Sequence, residues 1–126
     1  MANHRPTVLI IEDERFISMI YEDMVTDAGL AVGGCFDSCK SAEEWLSIHS
    51  PDVAIIDIKL QDGSSAELAK KLSDRKIPFL VVSGYPAGSG GIDEIFQSAP
   101  WVAKPVTVAS LQAALRSILG ASALNN

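Results

Sequence analysis

Three acids, one hydroxyl and one ammonium sit at the ends of short apolar runs in this chain. Val8-Leu9-Ile10-Ile11 leads into Glu12-Asp13, and Val53-Ala54-Ile55-Ile56 into Asp57. Pro78-Phe79-Leu80-Val81-Val82 leads into Ser83, and Trp101-Val102-Ala103 into Lys104. Clustered carboxylates repel one another and need a counter-ion. A small set of oxygen ligands suits magnesium, which takes one or two carboxylates and keeps several waters. A metal beside Asp57 would neutralise both a nucleophilic carboxylate and an incoming phosphoryl group. Lys104 would pair with a phosphoryl oxygen as a point charge, and the Ser83 hydroxyl would donate to another.

This chemistry requires the run ends to meet. The runs Val8–Ile11, Val53–Asp57 and Pro78–Val82 are compact and β-rich, as strands buried on both faces are. Leu30–Phe36 is a weaker strand, interrupted by Gly33 and Gly34, and Trp101–Ala103 is a short one. Between them lie helical patterns. Arg15–Ala28 carries Phe16, Ile17, Ile20, Met24 and Val25 at helical spacing, with Gly29 placed as a C-cap. Ser41–Ile48 is a short helix in which Ser41 caps and Glu44 completes a capping box. Gln61-Asp62-Gly63-Ser64 reads as a turn, then Ser65–Ser73 as a helix with Leu68 and Leu72 inward. Pro86–Gly91 is a Gly/Pro loop, and Ile92–Gln97 has room for only one or two helical turns. Val108–Leu119 closes the chain with Leu111, Leu115, Ile118 and Leu119 inward, ended by Gly120. Five strands alternating with helices predict an α/β fold, a doubly wound parallel sheet. Ligands of such sheets bind at the carboxyl ends of the strands, where the acids, Ser83 and Lys104 fall.

The bulk properties narrow the field. A chain of 126 residues has the size of one domain, with a core over about 6–120. A formal net charge of −6 and the lack of a Lys/Arg cluster argue against nucleic acid as a partner. No apolar run nears the roughly 20 residues a membrane span needs. The polar start, Met-Ala-Asn-His-Arg-Pro, is no signal peptide, so the expected location is cytoplasmic. Cys35 and Cys39 are too few for a zinc site, even with His49, and read as reduced thiols. His4 and His49 are expected to face solvent, and Trp45 to pack.

The segments VLIIEDE, VAIIDIKLQDG, PFLVVSG and AKP, in this order, resemble the receiver domains of two-component response regulators. The resemblance covers essentially the whole chain. It implies a flavodoxin-like five-stranded sheet in the order 2-1-3-4-5. It also implies that Asp57 is the phosphoacceptor, that Glu12, Asp13, Asp57 and the backbone carbonyl of Lys59 hold Mg2+, and that Ser83 and Lys104 contact the phosphoryl group. The bond before Pro105 would be cis. The donor would be a histidine kinase or a histidine phosphotransfer protein. Ser83 stands where threonine is more usual, Gly84 where alanine is frequent, and Trp101 where a switch Tyr or Phe is usual. PFLVVSGYP before a glycine-rich loop is similar to the subgroup with an FATGUY-type motif, whose fourth helix is short or mobile. In that setting Ala87–Gly91 would order on phosphorylation, and the face from Ile92 to Trp101 would meet a partner.

Neither Lys59 nor Tyr85, which should flank the acceptor, can orient a water as an acid or carboxamide would. Slow loss of the phosphoryl group is therefore expected. No effector domain follows Leu119, so output is expected through contact with a downstream protein, phosphorelay or competition for a kinase. Other readings fit less well. A phosphatase of the haloacid dehalogenase type places a second acid two residues after the nucleophile, where this chain has Lys59. A flavodoxin-like cofactor binder needs a phosphate-cradling loop after the first strand, where Glu12-Asp13-Glu14 would repel phosphate. A degenerate receiver serving only as a binding module would not need the intact set.

Overall fold

A computed structural model describes residues 5–85 and 90–120. In chain order the elements are β1 (Thr7–Ile11), α1 (Arg15–Asp27), β2 (Ala31–Phe36), α2 (Cys39–Leu46), β3 (Val53–Asp57), β4 (Lys59–Leu60), β5 (Gly63–Ser64), α3 (Ala66–Asp74), β6 (Phe79–Ser83), β7 (Trp101–Ala103) and α4 (Val108–Leu119). Five strands form one parallel sheet in the order β2-β1-β3-β6-β7. The short β4 and β5 pair with each other in an antiparallel ribbon that stands apart from the sheet. With the ribbon set aside, the order is the expected 2-1-3-4-5.

The strongest apolar runs occupy the centre. Alternate residues of a strand point to opposite faces, and the core divides accordingly. Val8, Ile10, Val53, Ile55, Leu80 and Val82 pack with Tyr21, Met24 and Val25 of α1 and Leu111 and Leu115 of α4. Leu9, Ile11, Ala54, Ile56, Phe79 and Val81 pack with α2, α3 and Phe96 on the other face. Each fully buried large aliphatic contributes about 1.5–3 kcal/mol. Leu68 and Leu72 are buried as expected, and Ile118 and Leu119 are half-buried against the first cluster.

Several local expectations need correction. The buried stripe of α1 is Tyr21, Met24, Val25 and Ala28, with Ile17 packed beside it, whereas Phe16 is 84% exposed and Ile20 50%. Apolar residues occupy most of the first two turns of α1, so their spacing did not define which side meets the sheet. Gly29 does follow the helix, at φ 87°, a conformation glycine adopts without steric cost. Helix α2 starts two residues before Ser41. Its N-cap is Ser38, whose hydroxyl accepts from Ser41 N at 3.1 Å, so Ser41 is the receiving end of the cap and Glu44 takes no part. The next free N–H groups, of Cys39 and Lys40, donate to the Asp62 carboxylate at 2.9 and 3.1 Å. This ties the ribbon tip to α2 and explains why the helix begins so early. The stretch read as a simple turn at Gln61–Ser64 thus carries one strand of that ribbon.

Gly33 and Gly34 weaken β2 as a sequence signal for a packing reason. A Cβ on Gly33 would meet Thr7 Cγ2 at 2.5 Å and the Trp45 indole at 3.2 Å, and a Cβ on Gly34 would meet the Phe36 ring at 2.7 Å. Trp45 is half-buried, touches the Phe36 ring and stacks on exposed His49 with centroids 4.4 Å apart. At the other end of α2, Arg75 donates to Leu46 O, His49 O and Ser50 Oγ at 2.6, 2.9 and 2.7 Å, capping open carbonyls. In the fourth-helix region, residues 86–89 lie outside the described residues, and with them most of the loop expected to switch, Ala87–Gly91. Beyond it the chain makes a single 3-10 turn, Glu94–Phe96, capped by Asp93 and anchored by fully buried Phe96. The expectation of a short element there holds.

Candidate functional site

The carboxyl ends of the strands deliver their polar residues to one edge of the sheet. Glu12 and Asp13 follow β1, Asp57 ends β3, Ser83 ends β6, and Lys104 follows β7. Glu12, Asp13 and Asp57 each offer a carboxylate oxygen, and these lie within 4.8 Å of one another. Lys104 reaches in from the far side. Its Nζ donates to Asp57 Oδ2 at 2.8 Å and sits 3.3 Å from Glu12 Oε1. The second contact is an ion pair without hydrogen-bond alignment. Glu12 Oε1 is, among the described residues, a buried side-chain oxygen with no hydrogen-bond partner. The other oxygen of Glu12 accepts from Glu14 N at 3.1 Å.

The electrostatics follow from this crowding. Glu12 is only 2% exposed. Burial, aided by the negative charge of Asp57, pushes its carboxyl from 4.5 up to about 7, against the opposing pull of the Glu14 amide and Lys104. For Lys104, burial favours loss of the proton, but the hydrogen bond and charge of Asp57, joined by Glu12, outweigh it and raise its pKa. Tyr21, buried on α1 below the site, is also pushed upward, first by burial and then by the charges of Glu12 and Asp57, so its phenol stays protonated.

The donor set fits a hard divalent cation. Three carboxylates converge, and one buried oxygen has, among the described residues, the Lys104 ion pair but no hydrogen bond. A cation with oxygen preference would satisfy that oxygen and relieve the repulsion together.

The remaining candidates fall around this cluster. Ser83 is buried, and its Oγ accepts from Tyr85 N at 2.9 Å. Tyr85 is exposed, and its carbonyl accepts from Trp101 Nε1 at 2.9 Å. The Trp101 ring, half-buried against the second cluster, is therefore held to the segment after Ser83 by a donor that Phe lacks. Gly84 is exposed, and a Cβ there would meet nothing within 4 Å among the described residues. Lys59 opens β4, with an exposed side chain, two residues past Asp57. The Lys104–Pro105 peptide bond is cis. Cys35 Sγ donates to Glu22 Oε2 at 3.1 Å, and burial raises its thiol to about 12, so it stays protonated. Cys39 is likewise raised, to about 11, by burial and Asp62.

Two participants are not evident from the sequence. Asp62 stands in a turn, yet its carboxylate anchors the ribbon to α2. Ser65 stands at the start of a helix, yet its side chain reaches back to the end of β3. The signal for Asp62 was the Asp-Gly pair. Ser65 left no signal, because its partners are backbone carbonyls.

A doubly wound parallel sheet with an acid cluster and a lysine at its carboxyl edge defines the CheY-like, flavodoxin-type class. The chain belongs to the response regulator receiver domain family, which it matches over residues 8–116. Receiver domains are phosphoacceptors in two-component signalling, not catalytic enzymes, and they typically bind Mg2+ through acidic residues. The chain is similar to the PhyR response regulator REC domain of Erythrobacter litoralis, with 28% identity, a TM-score of 0.80, and 91% of this chain and 90% of that one covered. It is similar to SdrG from Sphingomonas melonis Fr1, with 31% identity, a TM-score of 0.76, and coverage of 91% and 97%. Among curated proteins it resembles the transcriptional regulatory protein PhoP of Escherichia coli (strain K12), 26% identical over 115 residues, which is 89% of this chain and 51% of PhoP. The chain spans 24% to 51% of the length of the curated relatives it matches. Among the described residues, no helix is long and apolar enough to cross a membrane.

Proposed function

We propose that Asp57 accepts a phosphoryl group from a phosphohistidine donor, a histidine kinase or a histidine phosphotransfer protein, and that the chain signals by protein contact or phosphorelay. The observation that carries this is the Lys104–Asp57 contact beside the three convergent carboxylates. Glu12, Asp13, Asp57 and the carbonyl of Lys59 would hold Mg2+. When bound, the metal offsets charge on the acceptor carboxylate and the arriving phosphoryl oxygens. A bond forms from the Asp57 carboxylate to phosphorus as the phosphorus–nitrogen bond of the donor breaks, and the nitrogen keeps the bonding pair. Lys104 holds the carboxylate in place beforehand and then pairs with a phosphoryl oxygen. Ser83 accepts from Tyr85 N, a role compatible with donating its own proton to a second phosphoryl oxygen.

Acetyl phosphate with Mg2+ tests this directly. One phosphoryl mass is expected on the wild type, and none on Asp57→Ala or in the presence of a chelator. Equal labelling of Asp57→Ala, or none of the wild type, overturns the reading. The same samples test the slow loss of phosphate. Lys59→Asn, which supplies a carboxamide to align water, is expected to lose the group about tenfold faster. A wild type that already loses it as fast as Lys59→Asn contradicts this.

A further inference from the structure

Helix α3 begins with a serine used in an unusual way. An N-cap serine ordinarily accepts from an N–H in the first turn of its own helix. Ser65 holds the N-cap position of α3 but makes no such bond. Instead its hydroxyl lies 2.6 Å from the carbonyl of Asp57 and 3.0 Å from that of Ile58. Its backbone N–H donates to the same Ile58 carbonyl at 2.8 Å. The neighbouring Ser64 Oγ accepts from Ala66 N at 3.1 Å, filling the capping role that Ser65 leaves. Ser65 is 0% exposed, so water does not compete for its proton.

These contacts fall on the two peptide units that leave the acceptor residue. The Asp57 carbonyl sets the backbone angle at the acceptor, and hence the direction from which its carboxylate projects. The Ile58 carbonyl sets the peptide leading into Lys59. The intervening ribbon returns the chain from Lys59–Leu60 through Gly63–Ser64, so that Ser65 arrives beside the place it left. Asp62 ties the ribbon tip to α2, and Leu60 is buried. One carboxylate oxygen of Asp57 is held by Lys104, and its backbone is held by Ser65.

We propose that Ser65 is a positioning residue of the acceptor site: its buried hydroxyl locks the Asp57–Lys59 backbone in the geometry that metal binding and phosphoryl uptake require. This rests on the reading of Asp57 as phosphoacceptor. Removing a group that orients a metal ligand typically costs ten- to a hundredfold in metal affinity or activity.

The test compares Ser65→Ala with Arg75→Ala. The second variant removes the cap on α2 and is the control for lost stability, since among the described residues the Arg75 side chain bonds to the end of α2 and its following turn. Ser65→Ala is expected to weaken Mg2+ binding about tenfold and, at saturating Mg2+, to slow labelling by acetyl phosphate about tenfold. The 19F spectrum of the beryllofluoride adduct is expected to shift or broaden. Arg75→Ala is expected to leave both constants within about twofold and the spectrum unchanged. Ser65→Ala behaving like Arg75→Ala overturns the positioning role while leaving Asp57 as acceptor. Should Ser65→Ala unfold, Ser65→Gly also removes the hydroxyl and is better tolerated than alanine at an N-cap. Failure of both to fold assigns the hydroxyl to the fold alone and overturns the proposal. A wild type that takes up no phosphoryl group on Asp57 overturns the acceptor reading and this role with it.

Discussion

Replacing Lys104 with methionine is expected to lower the stability of the metal-free protein by about 3 kcal/mol at pH 8, because it leaves buried charge without its partner. Methionine keeps most of the apolar stem and removes only the ammonium. Lys104 touches Asp57 Oδ2 at 2.8 Å and Glu12 Oε1 at 3.3 Å, and the Glu12 side chain is 1% exposed. The loss depends on pH. Glu12 titrates near 7 when folded against 4.5 as its ordinary value, and Lys104 is one of the groups restraining that rise. Without Lys104 the folded pKa climbs further. An acid with a raised folded pKa stabilises the fold fully below its unfolded pKa, and that contribution is lost as pH rises through the folded value. The deficit of Lys104→Met should therefore shrink toward pH 5. Denaturant titrations in chelator at both pH values check this, and an equal deficit at both contradicts it. Phosphoryl uptake should fall on the order of a hundredfold, the usual effect of losing one charge-stabilising donor.

Glu12→Gln is expected to act in the opposite direction on the fold. At pH 8 wild-type Glu12 is ionised in a site that disfavours its charge. A rise from 4.5 to about 7 corresponds to about 3 kcal/mol at most. Glutamine removes the charge and can still accept from Glu14 N. In chelator at pH 8 the variant should be more stable than the wild type by about 2 kcal/mol, and at pH 5 the two should converge. Magnesium should narrow or reverse the order, because the wild type binds it more tightly and a ligand that binds only the native state stabilises it. A variant less stable than the wild type in chelator at pH 8 contradicts this account. The acid cluster thus trades stability of the empty protein for affinity toward a cation.

The sheet was legible because β1, β3 and β6 are buried on both faces and read as unbroken apolar runs. The acid cluster was legible for the same reason, since Glu12, Asp13, Asp57, Ser83 and Lys104 each mark where such a run stops. What was not legible depends on partners distant in sequence. Ser38 and Ser41 are both able caps, and the choice between them is set by Asp62, more than twenty positions away. Phe16 and Ile20 share apolar character with Ile17 and Tyr21, and only docking on the sheet separates the exposed pair from the packed one. Gly33 and Gly34 suggest a poor strand, whereas they make room for the Thr7, Trp45 and Phe36 side chains. Ser65 serves backbone atoms, which every sequence supplies alike.

The order β2-β1-β3-β6-β7 also bears on kinetics. It places β1 between β2 and β3, so the segment made first is completed on both sides only when later segments arrive. The proposed cation ligands come from the ends of β1 and β3, more than forty residues apart in the chain, so they meet only when those two strands have paired in register. Contacts between distant parts of a chain form slowly, because loop-closure entropy must be met before they contribute. A cation held by such ligands has little to grip before β1 and β3 pair. Its stabilisation therefore belongs to the finished native state, and it should act as a brake on unfolding more than as an accelerator of folding.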